Sequence, residues 1–155
     1  NFGPLISDFG PVVLAHDLLL HLHTKKSLHG GGEQSAWRDD IVGGLVGVDG
    51  VTDAIINLFA DHAEIGVVFT RTFRQMAYWA NHWLQNAGQA VGLFRRLGVD
   101  RYNLRGYIDY PVGGMFWARV EAIRPLFEAG ITYEDFPPEA GQLDGTIARM
   151  SQQRL

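Results

Sequence analysis

Residues Asp17–Ser27 read "DLLLHLHTKKS". Leu18, Leu19 and Leu20 follow one another without a polar residue, and Leu22 comes after His21. A strand with one solvated face alternates apolar and polar residues; a strand covered on both faces does not. The run therefore predicts a doubly covered strand whose polar end marks where the chain leaves the core. Gly30-Gly31-Gly32 makes the loop beyond it. The same end carries Lys25 and Lys26, the only lysines among thirteen Lys and Arg residues.

Working outward, the segment from Val12 to Ala15 is either strand material or a helix leading into this strand. Downstream, Ser35 is placed to cap a helix that presents Trp37, Ile41 and Leu45 on one face, spaced four apart, until "GVDG" breaks it. A further helix starts near Thr52. "EIGVVF" (Glu64–Phe69) reads as a short buried strand. The aromatic middle, Thr70–Asn81, has no clear period. Leu84–Leu97 carries a helical stripe closed by Gly98. "VGGMFWARV" (Val112–Val120) reads as another strand. "EAIRPLFEAG" reads as a helix with Pro125 as a kink or boundary, and a last helix runs from about Asp144. Strands alternating with helices predict an α/β domain with a mostly parallel central sheet flanked by helices.

The bulk numbers set limits. A chain of 155 residues, 46% hydrophobic and 19% charged, forms one domain with a real core. Its net charge of −4 argues against nucleic-acid binding by bulk charge. The absence of cysteine excludes disulfides and Cys-based zinc sites, and fits a reducing compartment. No apolar run reaches the ~20 residues of a membrane span. The chain begins with Asn1 and no signal peptide is visible, so it is expected to be a piece of a longer protein.

Two segments carry chemistry. Ligands of open α/β sheets bind beyond the carboxyl ends of strands, and "HLHTKKS" occupies such an end. On a strand His21 and His23 share a face, as metal ligands or as hydrogen-bonding groups for a sugar or phosphate. Lys25 and Lys26 supply point charges for diphosphate oxygens, and Thr24 and Ser27 add hydroxyls. The second segment opens with Gly113 and Gly114, which leave room for a ligand or another backbone. Trp117 follows, as core or as a stacking surface. An acidic loop comes next, with Glu134, Asp135, Glu139 and Asp144 stiffened by two prolines. A fixed carboxylate there suits a general base. Asp144 is equally suited to cap the last helix.

Taken together, "HLHTKKS", "AWRDDIVGGLVG" and "VGGMFWARVEAIRPLFEAGITYEDFPPEAGQLDGTIA" closely resemble the rhamnan synthesis protein F family over nearly the whole chain. The chain departs from that pattern at Arg149 and in its final "SQQRL". The resemblance implies a part in building rhamnose-containing cell-surface polysaccharides, in bacterial cell wall or lipopolysaccharide. It also implies a partial GT-A-like, Rossmann-like glycosyltransferase domain over residues 1–155, a fragment lacking its N-terminal nucleotide-binding strands. In the GT-A plan an early strand ends in an Asp-x-Asp signature that handles the donor diphosphate through a divalent metal. "HLHTKKS" stands at that place, so Lys25 and Lys26 are expected to replace the metal. No cofactor is then required, with Mg or Mn held by His21 and His23 as the alternative.

On this resemblance Asp144 or Glu139 is the catalytic base. His21, His23, Thr24, Lys25, Lys26, Ser27, Gly113, Gly114 and Trp117 bind substrate, with Tyr133 and Phe136 as further stacking rings. The donor is dTDP-L-rhamnose and the acceptor a polysaccharide or lipid-linked saccharide. The place of action is the cytoplasm, at the inner face of the cell membrane. Two other readings stand beside it. One is a non-catalytic carbohydrate-binding or scaffolding module that uses Tyr78, Trp79 and Trp83. The other is a metal-dependent hydrolase built on His21, His23 and an acid.

Overall fold

The computed structural model describes residues 2–22, 32–47, 49–72, 74, 81–111 and 113–136. Two short helices open the chain, α1 (Phe2–Ser7) and α2 (Gly10–Val13). The leucine run then forms β1 (Leu18–His21). Helix α3 (Gly32–Val42) continues into a π-helical turn, Gly43–Gly47, and α4 covers Val51–Asp61. After β2 (Val67–Val68) a 3₁₀ turn (Leu84–Asn86) leads into α5 (Ala87–Arg96). Strand β3 (Phe116–Arg119) runs directly into α6 (Val120–Glu128), followed by a 3₁₀ turn at Tyr133–Asp135.

The sheet order is β1-β3-β2. Its register pairs Leu18 with Arg119 and His21 with Phe116 on one side, and Val67 with Ala118 on the other. Both pairings are antiparallel. The chain is mixed α/β as expected, but the expected mostly parallel sheet is not what the described strands form. The cause is the path of β3. β1 and β2 run the same way, as the intervening helices allow, yet they do not pair with each other. β3 returns in the opposite direction and fills the gap between them. A continuous apolar run reports that both faces of a strand are covered and is silent about the strand's direction.

The double coverage itself is present. Side chains alternate across the sheet. Met115 and Trp117 face one layer with Leu18, Leu20, Ile41, Leu45, Ile55 and Phe59. Phe116 and Ala118 face the other with Leu19, Phe2, Ile123 and Phe127. Helices α3 and α4 therefore cover one side of the sheet, and α1 and α6 the other. The predicted stripe on α3 is the one that docks, with Ile41 and Leu45 almost fully buried. α5 closes at Gly98, whose φ of +67° suits glycine. Pro125 lies inside α6 instead of ending it.

Among the described residues no single helix is long and apolar enough to cross a membrane. The bent pair formed by α3 and α4 has the composition for it. Its apolar side, however, is spent on the sheet through Ile41, Leu45, Ile55 and Phe59.

Candidate functional site

The antiparallel pairing has one consequence for chemistry: the carboxyl end of β1 lies against the amino end of β3. There Nδ1 of His21 is 2.5 Å from the carbonyl oxygen of Gly114. A carbonyl only accepts, so Nδ1 carries the proton. The imidazole also packs beside Phe2 (ring centroids 5.2 Å apart) and Phe116 (5.5 Å). These rings hold its plane, and the carbonyl fixes its tautomer.

Gly113 and Gly114 make this approach feasible. Their φ angles are +87° and +69°, a region that a side chain enters only with strain. A Cβ on Gly113 would also meet Ile41 and Trp37 at 3.3 Å. The turn is closed by Gly114 N–H donating to the Pro111 carbonyl at 2.8 Å. The paired glycines thus turn the chain so that a backbone carbonyl faces His21. Trp117, three residues on, is 8% exposed, and its indole N–H donates to the Leu45 carbonyl at 3.1 Å. It takes the core place that the sequence offered as one of its two roles.

The described start of the acidic loop comes to the same side of the sheet through α1. Gly3 lies beside Tyr133 and Phe136, while the adjacent Phe2 packs on His21. Two anchors fix the turn. The Tyr133 hydroxyl donates to the Asp8 carboxylate at 2.5 Å, which raises the tyrosine's pKa. Arg96, at the end of α5, donates to Asp135 at 2.5 Å and to the carbonyls of Ala129 and Gly130. Asp135 also accepts from Thr132 N–H at 2.9 Å. The guanidinium first, and then this amide, hold the Asp135 carboxyl below the usual range.

That shift has a sign. A carboxyl with a depressed folded pKa stabilises above its unfolded value, near 3.9, and loses the contribution as pH falls through the folded value. Amide-exchange protection at Thr132 is therefore expected to drop below the ordinary aspartate range. Asp135→Asn should make that protection independent of pH. An unchanged acid-dependent drop in the variant would show that another group controls the turn.

Of the sequence-predicted site residues, His21, Gly113 and Gly114 are brought together. His23, Thr24, Lys25, Lys26, Ser27, Glu139 and Asp144 lie outside the described residues, as do Tyr78 and Trp79. Among the described residues no group of three or more His, Asp or Glu side chains converges on a metal-binding point. Three residues that sequence reasoning passed over matter here. Arg96 and Asp8 hold the acidic turn. Asn81, 1% exposed, bonds through its amide to Thr72 and to the Ile108 carbonyl, each at 2.9 Å. A cation in the last turn of a helix was a readable signal for Arg96; nothing comparable marks Asn81.

The sequence profile of the rhamnan synthesis protein F family matches residues 3–153. The chain belongs to the rhamnan synthesis protein F family. Two proteins from strains of Xanthomonas campestris pv. campestris, each named uncharacterized protein WxcX, are 36% identical to it over 138 residues. The match covers 84% of this chain and 18% of each relative. The chain thus spans under a fifth of the length of these relatives. No solved structure matches it. The family's name ties its members to rhamnan, and so polysaccharide, synthesis.

Proposed function

We propose that this chain is part of a glycosyltransferase, a rhamnosyltransferase, that adds a nucleotide-activated deoxysugar to a cell-surface polysaccharide. The observation that carries this reading is the His21–Gly114 contact. It brings the strand end that leads into Lys25 and Lys26 against the strand that leads through α6 into the acidic loop. A transferase of this kind needs both halves at one place: cations where the diphosphate departs, and a base where the acceptor hydroxyl attacks.

On this reading Lys25 and Lys26, with Thr24, Ser27 and His23, receive the diphosphate of dTDP-L-rhamnose. His21 and the Gly113–Gly114 backbone form the floor of the cleft, and Glu139 or Asp144 deprotonates the acceptor. The acceptor is a growing polysaccharide or lipid-linked saccharide, met in the cytoplasm at the inner face of the membrane. Two cations take the neutralising role, so a divalent metal is not required.

The test is transfer of labelled rhamnose from dTDP-L-rhamnose to a lipid-linked acceptor by the full-length protein. Lys25→Ala is expected to lower kcat by about a hundredfold, with turnover indifferent to EDTA. Wild-type turnover that the lysine change leaves intact, or that chelation abolishes, would remove this diphosphate site.

A further inference from the structure

A second feature lies outside the His21–Gly114 contact. The rings of residues 82–107 form two groups, joined through the chain where His82 precedes Trp83. Tyr107 meets His82 edge-on at 6.5 Å, and the next residue, Trp83, meets Phe94 edge-on at 5.8 Å. Phe94 in turn stacks on Tyr102 at 4.7 Å. Each group is braced. Trp83 donates its indole N–H to the Asn103 carbonyl, and the Asn103 side chain accepts from Arg105 N–H. His82 and Tyr107 are joined by a backbone bridge. Each group has a partly exposed tyrosine: Tyr102 is 41% exposed and Tyr107 49%.

A second feature marks the same place. Leu84, directly after Trp83, has φ +47° and is the one described non-glycine residue with positive φ. It is also 44% exposed, so burial of its side chain does not explain the strain. Strained backbone of this kind concentrates where chains hold ligands.

The chemistry of the surface selects its occupant. The segment between the two tyrosines carries Arg101, Asn103 and Arg105, all exposed. A segment that alternates exposed tyrosines with arginine and asparagine is unlike the aliphatic patch that docks another protein core. It suits a pyranose ring, which offers a face of C–H bonds to an aromatic ring and hydroxyls to polar side chains. A 6-deoxyhexose replaces a hydroxymethyl group by a methyl, and so adds apolar contact. Only residues 108–113 separate Tyr107 from Gly114, a reach of at most about 25 Å.

We propose that the Tyr102–Tyr107 segment is a saccharide platform that holds the rhamnose-containing acceptor outside the catalytic cleft. The identity of the glycan rests on family membership and on the transferase reading. The binding itself requires no catalysis. The platform sets how long an acceptor must be to be gripped, which makes it a determinant of acceptor length.

The experiment is a titration of the full-length protein with a rhamnose trisaccharide, without donor, followed by saturation-transfer NMR and by tryptophan fluorescence. Wild-type protein should transfer saturation to the C–H face and the methyl protons of the sugar. Tyr102→Ala and Tyr107→Ala should each weaken binding about tenfold. Both rings are about half exposed, so the variants should stay folded with only a small drop in the unfolding midpoint. Retained binding in both variants, or no binding by wild type, would overturn the platform. So would concentration-dependent self-association that the variants abolish, since the patch would then join two copies of the chain. Failure of the transferase reading shows differently: trisaccharide binding persists and depends on the tyrosines, while no rhamnose is transferred.

Discussion

Trp117→Ala is expected to lower the free energy of unfolding by about 3–5 kcal/mol, the range for removing a large aromatic side chain from a packed core. The ring is 8% exposed and belongs to the cluster that joins β3 to α3 and α4. Its N–H is also the donor for the Leu45 carbonyl in the π-helical turn. Leu45 itself is 1% exposed, so the stranded carbonyl adds to the loss. A typical domain has only about 5–15 kcal/mol in total, so the variant should stand near the edge of folding. Trp117→Phe keeps most of the volume and loses only the donor, and about 1–2 kcal/mol is expected. Equilibrium urea unfolding of the two variants separates packing from the hydrogen bond. A loss under about 1 kcal/mol for the alanine variant would contradict a core role. The phenylalanine variant has a second use. If it folds normally and still transfers sugar, the indole is not part of the substrate site.

Much of this core was legible because periodicity encodes coverage. The unbroken leucines of β1 announced a strand covered on both faces, and the structure covers both. The stripe Trp37, Ile41 and Leu45 announced the buried face of α3. Direction was illegible for a physical reason. Parallel and antiparallel neighbours of a doubly covered strand demand the same apolar side chains, so β3 reversing between β1 and β2 leaves no trace in composition. Contacts across long separations were equally hidden. His21 and Gly114 are 93 residues apart, and Arg96 and Asp135 are 39 apart. The glycine pair was read as a place of close approach, while Arg96 was passed over although a helix-end cation is a readable signal. What joined them was sheet register and helix placement, which only the folded chain supplies. Asn81 shows the limit most plainly. A single amide in an aromatic stretch reads as surface, yet it lies buried because Thr72 and the Ile108 carbonyl satisfy its donors.

On the transferase reading, one carboxylate downstream of the anchored Tyr133–Asp135 turn must take the acceptor's proton, and its removal should lower kcat by about 10²–10⁴-fold. The substitutions are chosen so that folding does not confuse the answer. The sequence equally suits Asp144 to cap a helix, and asparagine caps as well as aspartate does. Asp144→Asn therefore keeps the cap and deletes only the base. Glu139→Gln keeps size and removes charge. Arg96 and Asp8 hold the turn before these positions, so neither substitution should disturb the Tyr133 or Asp135 contacts. The measurement is kcat and KM for rhamnose transfer by the full-length protein, with a pH profile for each variant. The base should show a fall in kcat at nearly constant KM, together with loss of the acidic limb of the profile, because that limb reports its protonation. The other carboxylate should shift KM or nothing. A large rise confined to KM in both variants would assign these acids to acceptor binding. If both retained kcat, general-base catalysis from the proline-stiffened loop would be excluded, whatever the lysines do for the leaving diphosphate.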